Sequence, residues 1–235
     1  MKLAVSHPWD LPIDEAKALQ ARLAEQVIAK TTFDPAAVRT VAGVDVGFHG
    51  DVARAAVVVL SFPSLEPLGC ARAEVPVTFP YVPGLLAFRE GPGVLAALQQ
   101  ITPWPDLLIF DAHGLAHPRR LGLAAHLGVI LDWPSIGCAK SRLCGAHGEP
   151  GDAVGSWAPL THAGETIGAV VRSRAGVQPV YVSIGHRVDL ATAIRFVLRC
   201  IRGYRLPETT RYAHQVAGGA ELELENKQPP LFGGW

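Results

Sequence analysis

Apolar residues recur at every third or fourth position in several stretches of the sequence. The first stretch, residues 14–30, places apolar side chains at Ala16, Leu19, Leu23 and Val27, which is the spacing of one face of an amphipathic helix. Pro12 and the acidic residues near its start are typical of a helix N-terminus. We predict four more helices, at residues 85–99, 119–127, 189–202 and 208–217, and the last of these ends at Gly218-Gly219.

Between these helices lie short runs of residues that favour strands. Three of them follow one another at 40–48, 52–62 and 68–77, separated by short turns that contain Gly or Pro, which predicts an antiparallel meander. Further strands are predicted at 106–111, 136–139, 167–172 and 180–183. The stretch 143–159 is rich in Gly, Ala and Pro, so we expect an irregular excursion there.

The order of these elements predicts an α/β fold. Three antiparallel strands followed by helix, strand, helix and strand is the order of the ribonuclease H-like fold, a central mixed sheet flanked by helices. The 235 residues suffice for one full-sized domain of this kind and are too few for two. We therefore expect a single domain over residues 1–220 and a loosely ordered C-terminal tail, 221–235.

The composition excludes several classes of protein. With 49% apolar and 18% charged residues the chain is typical of a globular protein. No apolar run approaches the ~20 residues that span a bilayer, and the first ten residues contain no apolar signal-peptide core. We therefore expect a cytoplasmic protein without a membrane partner.

The net charge is zero, but the charges are unevenly distributed. Residues 1–118 contain eight basic and twelve acidic side chains, whereas residues 119–211 contain twelve basic and six acidic ones. An excess of arginine and lysine in the second half suits a face that binds phosphates, although solvated arginines are common on protein surfaces.

Three acidic residues lie on elements that converge in this fold. Asp45 is flanked by apolar residues on the first strand, and Asp111 closes the apolar run that begins at Leu107. Glu90 lies on the helix between them. Burying an unpaired charge costs several kcal/mol, roughly, so such carboxylates need a partner. Two aspartates on neighbouring strands form the hard, all-oxygen site that Mg²⁺ prefers.

Six ordered blocks resemble the endonuclease V family. They span residues 7 to about 217 and comprise Val44-Asp45-Val46-Gly47-Phe48, residues 80–90 (PYVPGLLAFRE), residues 111–119 (DAHGLAHPR), residues 137–141 (GCAKS), residues 183–187 (SIGHR) and residues 210–214 (TRYAH). One departure is Ala112, where the family usually has glycine after the aspartate.

The resemblance implies a role for each residue of a catalytic centre. Asp45 and Asp111 would bind Mg²⁺, for which Mn²⁺ could substitute. Glu90 and His214 would complete the metal site through water or the attacking nucleophile, since a neutral imidazole titrates near neutral pH and can position water. Lys140 would face the scissile phosphate, where a compact cation offsets the charge that accumulates.

A second group of residues would bind the substrate. Two prolines stiffen the loop around Tyr81, so that an exposed ring can be presented with little loss of entropy. The resemblance makes this loop a strand-separating wedge beside a pocket for the extruded base, and it implies the set Pro80, Tyr81, Val82, Pro83, Gly84, Leu85 and Gly137. His117 would contact a phosphate or order the Asp111 loop. Its spacing from His113 would suit a metal only on a helix, and the intervening glycine favours a loop.

The implied activity is that of a DNA-repair endonuclease acting as a monomer. It would hydrolyse the second phosphodiester bond 3′ to deoxyinosine and leave 3′-hydroxyl and 5′-phosphate ends. An inosine-specific endoribonuclease on the same scaffold remains an alternative, because 2′-hydroxyl contacts decide between the substrates.

Two other classes fit less well. Residues 43–47 (GVDVG) also resemble the first phosphate loop of actin-like phosphotransferases, but Asp111-Ala112 breaks the second loop that those proteins need. A non-catalytic nucleic-acid binder would be expected to lose Asp45, Glu90 or Asp111, and all three are present.

Overall fold

The computed structural model describes residues 1–222 and 224, and these form five helices and eight strands. The strands are β1 (Thr40–His49), β2 (Val52–Ser61), β3 (Pro67–Pro76), β4 (Leu107–Phe110), β5 (Ser135–Ala139), β6 (Trp157–His162), β7 (Glu165–Val171) and β8 (Val180–His186). The helices are α1 (Ile13–Ala24), α2 (Leu86–Leu98), α3 (Leu123–Leu131), α4 (Leu190–Arg199) and α5 (Glu208–Ala217).

All eight strands belong to one mixed sheet in the order β3-β2-β1-β4-β5-β8-β7-β6. The first three form the predicted antiparallel meander, β4 and β5 run parallel to β1, and the last three strands continue the sheet in antiparallel pairs. The predicted ribonuclease H-like fold is confirmed. The parallel β1–β4 pair matters most for the site, because its register places Val44 opposite Phe110 and so brings the residues that follow them, Asp45 and Asp111, next to each other.

Alternate residues of the central strands enter opposite hydrophobic layers. On β2, Val58 and Leu60 pack in the layer that contains residues of α4 and α5, whereas Val57 and Val59 pack in the layer that contains residues of α2 and α3. This is the two-residue period of a strand that is buried on both faces. Helices therefore cover both sides of the sheet and hold its central strands in place.

Four of the five predicted helices have different bounds in the structure, and the largest differences are in α1 and α3. The first ends at Ala24 rather than at residue 30, and α3 begins at Leu123 rather than at 119. Residues 117–122 instead form a turn, in which Arg120 has a positive φ of 56° and its N–H donates to the carbonyl of His117. A left-handed residue cannot continue an α-helix, so the helix starts after Gly122.

The stretch 143–159 was predicted to be wholly irregular, and this was wrong at its end. Strand β6 starts at Trp157 and pairs with β7 through a two-residue turn, Ala163-Gly164, in which both φ angles are positive, at 53° and 81°. Such a turn matches the twist of a hairpin. Because β6 is an edge strand, it tolerates Pro159, which obscured the strand in the sequence.

The bounds of the single domain, residues 1–220, stay a prediction. The tail predicted over 221–235 lies outside the described residues except at 221, 222 and 224. Within the described part of the chain, no helix is both long enough and apolar enough to cross a membrane.

Candidate active site

Three elements bring the candidate catalytic side chains together at the C-terminal end of β4, in the middle of the sheet. Asp45 lies on β1 and Asp111 directly follows β4, where its N–H donates to the carbonyl of Val44 at 3.0 Å. Helix α5 crosses β1 and carries His214. The helix approaches so closely because Gly43 has no side chain: a Cβ there would lie 1.8 Å from the carbonyl oxygen of Thr209.

Asp45, Asp111 and His214 form a compact set of potential metal ligands. One ligand atom from each lies within 4.8 Å of the others, and His214 Nδ1 donates to Asp45 Oδ2 at 2.7 Å. Lys140 Nζ lies 2.5 Å from Asp111 Oδ2 in an ion pair, although its angles are not those of a hydrogen bond. Glu90 lies outside the three-residue set, buried on α2.

The electrostatics of the cleft favour an added cation. Burial raises the pKa of the Asp45 carboxyl, and the nearby Asp111 raises it further, whereas His214 and Lys140 oppose the shift. Burial, followed by the charges of Asp45 and Asp111, raises the pKa of Glu90 to about 8. Among the described side chains Asp111 Oδ2 is buried without a hydrogen-bond partner. Crowded carboxylate oxygens, one of them held only by the Lys140 ion pair, are the donors that a hard divalent cation requires, so these residues fit one.

The carboxylates open into a cleft that adjoins a second cavity. The cleft has a volume of about 370 Å³ and is lined by Asp45, Asp111, Lys140 and His214 among others. The second cavity, about 140 Å³, lies between the loop that precedes α2 and the segment 112–123. Both are lined by Leu86, Ala112 and His113. A group in the smaller cavity would therefore lie next to the carboxylates. We call the smaller one the base pocket, after the extruded base that the sequence resemblance predicts there.

The structure separates the predicted substrate-binding loop into three parts. Tyr81 is 72% exposed and lines the base pocket together with Val82, Pro83 and Gly84. Leu85 is buried in a hydrophobic cluster instead, and exposed Pro80 also lies outside the described lining of the pocket. The exposed ring is compatible with the predicted wedge.

Gly137 and His117 have structural positions that the sequence did not predict. A Cβ on Gly137 would lie 2.5 Å from the nitrogen of Gly114, so this glycine lets the 112–114 loop lie against β5 rather than lining the base pocket. His117 is buried and lines the pocket, where its Nε2 bonds to the carbonyl of Gly84 at 3.0 Å. Burial lowers its pKa to about 4. Its ring therefore joins the Gly84 loop to the segment that follows Asp111, since its Nδ1 accepts from the backbone N–H of Arg119 at 3.1 Å.

Sequence reasoning missed three polar side chains at the base pocket. Gln20 and His113 line it, and Arg119 donates to the carbonyl of Gly84 at 2.7 Å. For Gln20 a signal existed, since it lies on the same helical stripe as Ala16 and Leu23, where a polar residue is out of place. His113 belongs to the block 111–119 and was considered only for its spacing from His117; its place at the pocket could not be predicted, because it depends on the conformation of a loop.

Comparisons with known proteins agree with this geometry. The endonuclease V family model matches residues 21–215. An endonuclease V of Roseiflexus castenholzii is 57% identical over 222 residues, which cover 94% of this chain and 99% of that protein. The crystal structure of endonuclease V from Streptomyces avermitilis has a TM-score of 0.86 at 44% identity, covering 91% of this chain and 95% of that one.

A further similar structure contains a nucleic acid. Endonuclease V of Ciona intestinalis, in complex with a 24mer DNA containing an inosine followed by a ribo-adenosine, has a TM-score of 0.77 at 28% identity, covering 88% of this chain and 96% of that one. Because the family model covers most of the sequence and the relatives align over nearly their whole lengths, this chain is a member of the endonuclease V family of nucleases.

Proposed function

We propose that this nuclease is a Mg²⁺-dependent DNA-repair enzyme that recognises deoxyinosine and hydrolyses the second phosphodiester bond 3′ to it. The products would carry 3′-hydroxyl and 5′-phosphate ends. The observation that carries the proposal is the shared wall of the two cavities: a carboxylate cleft adjoins a small pocket beside an exposed tyrosine. The inosine-containing DNA bound by the Ciona relative supports the choice of lesion.

In this proposal Asp45 and Asp111 hold the metal ion, with Glu90 and His214 contributing through water. A bound Mg²⁺, or Mn²⁺ in its place, would stabilise the charge that develops on the transferring phosphate. Burial and, after it, the neighbouring Asp111 raise the pKa of Asp45, so the ionised pair is unfavourable by itself, and a divalent cation would offset both effects.

The other residues of the cleft act on the substrate and the attacking water. Lys140, which pairs with Asp111, is 40% exposed in its side chain and is thus available to an incoming phosphate. His214 is 62% exposed and hydrogen-bonded to Asp45, so its ring is held at the mouth of the cleft, where it can orient water.

The base pocket would take the extruded hypoxanthine. Leaving the stack costs a few kcal/mol, roughly, and less for a base that pairs poorly. The ring of Tyr81 would occupy the gap, while residues 82–85, His117 and Gly137 shape the pocket or its surroundings. We propose that the enzyme acts as a monomer.

The test is cleavage of matched labelled strands that carry one deoxyinosine, one inosine or no lesion, in Mg²⁺ and in EDTA. We expect metal-dependent cutting of the deoxyinosine strand, with a product whose 5′ end is a substrate for ligase. Faster cutting of the inosine RNA strand would favour the endoribonuclease alternative. Release of free hypoxanthine, or an abasic site, would overturn the mechanism.

A further inference from the structure

The first helix carries a buried polar side chain that faces the base pocket. Gln20 is 1% exposed and lies on the stripe of α1 formed otherwise by Ala16, Leu19 and Leu23. A buried amide that finds no partner is costly, so a glutamine in such a place normally has specific contacts. The stretch matched by the family model begins one residue later, at residue 21.

Every polar atom of the Gln20 side chain is used. Its Nε2 donates to the carbonyl oxygens of Gly84, at 3.0 Å, and Leu121, at 3.1 Å. Its Oε1 accepts from Nε of Arg119 at 2.7 Å. The opposite orientation of the amide would point an oxygen at two carbonyls and a nitrogen at a guanidinium, so these partners fix the orientation.

The carbonyl of Gly84 is the centre of this network. Besides Gln20, it accepts from Nη2 of Arg119 at 2.7 Å and from Nε2 of His117 at 3.0 Å. The backbone N–H of Arg119 donates to Nδ1 of His117 at 3.1 Å. Because Nδ1 accepts this bond, the proton of the neutral His117 ring is on Nε2. Donors from two separate parts of the chain thus hold one backbone oxygen.

Gly84 needs such restraint because it is conformationally free. Its φ is +80°, a conformation that glycine adopts readily, and it directly follows the exposed residue Pro83. A loop that is fixed before binding loses less entropy when a ligand enters. Gln20, Gly84 and His117 all line the 140 Å³ base pocket, so fixing Gly84 also fixes the shape of that pocket.

We infer that Gln20 is a positioning residue for lesion binding, which acts through the Gly84 carbonyl and Arg119 to hold the loop 80–85 in its binding conformation. This inference rests on the proposed function of the base pocket. It assigns a part in recognition to α1, which is remote in sequence from the carboxylates and the loop. It also explains why a polar residue is retained on the apolar stripe of that helix.

The test compares Gln20→Met with Gln26→Met. Methionine has nearly the shape of glutamine without its hydrogen bonds, and Gln26 is an exposed residue just after the same helix, which makes it a matched control. Two properties are measured in each variant: the dissociation constants for a deoxyinosine strand and an undamaged strand in EDTA, and hydrogen exchange in the peptide 80–88. The N–H of Leu85 donates to the carbonyl of Val82 at 2.9 Å, so the loop contains a protected amide to follow.

For Gln20→Met we expect deoxyinosine binding to weaken by about tenfold, the factor that corresponds to 1.4 kcal/mol. Undamaged-strand binding and the cleavage rate at saturating enzyme should stay as in the wild type, and exchange in the loop should accelerate. Gln26→Met should change none of these. Loss of the three buried hydrogen bonds should lower the melting temperature whichever role Gln20 has. A merely structural role would weaken the binding of both strands equally, and that result would overturn the inference.

Failure of the proposed function has a different signature. It would appear in the wild-type protein, as equal binding of the deoxyinosine and undamaged strands. The exchange measurement then still decides whether Gln20 positions the loop, because it does not depend on any ligand. Unchanged hydrogen exchange of the loop 80–85 in Gln20→Met would refute the positioning role of Gln20, whether or not the proposed function holds.

Discussion

The close approach of α5 to β1 gives a prediction that separates the geometry of the site from its chemistry. In Gly43→Ala the new methyl carbon would lie 1.8 Å from the carbonyl oxygen of Thr209, whereas ordinary contact begins at 3.4 Å. Backbone must therefore move by about 1.6 Å, the difference between the two distances. The element that can yield is α5, because β1 is held between two neighbouring strands.

The expected magnitudes follow from that displacement. Overpacking of a core contact costs about 1 to 3 kcal/mol, which for a chain of this size lowers the melting temperature by roughly 3 to 10 °C. Moving α5 also moves His214 away from Asp45, and a shift of this size at a catalytic group costs about a hundredfold in rate. The ionisable groups that line the cleft are all retained, so the loss would come from position alone.

Gly47→Ala is the matched control. It lies on the same strand under the same helix, but its Cβ would be 3.1 Å from the carbonyl of Ala217, a distance that a small adjustment relieves. We expect a stability change of less than about 1 kcal/mol and near-wild-type cleavage. The assay is single-turnover cleavage well below the melting temperature, together with thermal unfolding. The reasoning is refuted if Gly43→Ala cleaves and melts like Gly47→Ala.

Three further predictions concern the carboxylates, the wedge and a buried histidine. Asp45→Ala or Asp111→Ala should abolish cleavage but keep deoxyinosine binding, because removing an acid also removes repulsion of phosphate. A cleavage rate above about a tenth of wild type, which corresponds to a loss of transition-state stabilisation under ~1.4 kcal/mol, would contradict the metal assignment. Tyr81→Ala should weaken duplex binding by about 1 to 3 kcal/mol, with less effect on single strands and recovery in Tyr81→Phe; equal losses in both variants would point to the hydroxyl instead. Burial lowers the pKa of His126 from 6.5 to about 3. Between these two pH values the unfolded chain binds a proton at His126 that the native chain does not bind. The free energy of unfolding therefore falls as the pH falls from 6.5 to about 3. His126→Phe should melt with a weaker pH dependence from pH 7 to 5, and identical profiles would contradict this.

The sequence predicted the sheet well because its signals are local. Asp45 and Asp111 stand out as carboxylates within or directly after apolar runs, and the meander turns are marked by Gly and Pro. The hairpin at Ala163-Gly164 was missed because its left-handed alanine gives no composition signal. Strand β6 was missed with it.

The pocket was harder to predict because its walls depend on long-range contacts. Gln20 and Gly84 are 64 residues apart, and only the packing of α1 brings them together. Gly137 illustrates the same limit: the glycine pattern was visible, but whether it lined the pocket or supported the adjacent loop depended on tertiary structure. Whether Glu90 binds the metal directly depends on the same kind of detail, since it lies outside the compact ligand set.

The most direct measurement of the central claim is the ratio of two single-turnover cleavage rates with Mg²⁺, on strands that are identical except for one deoxyinosine in place of deoxyadenosine. If the base pocket selects hypoxanthine and presents its strand to the carboxylate cleft, the deoxyinosine strand should be cut faster by about a hundredfold or more, with both rates lost in EDTA. A ratio near one, or cleavage that persists in EDTA, would contradict the account.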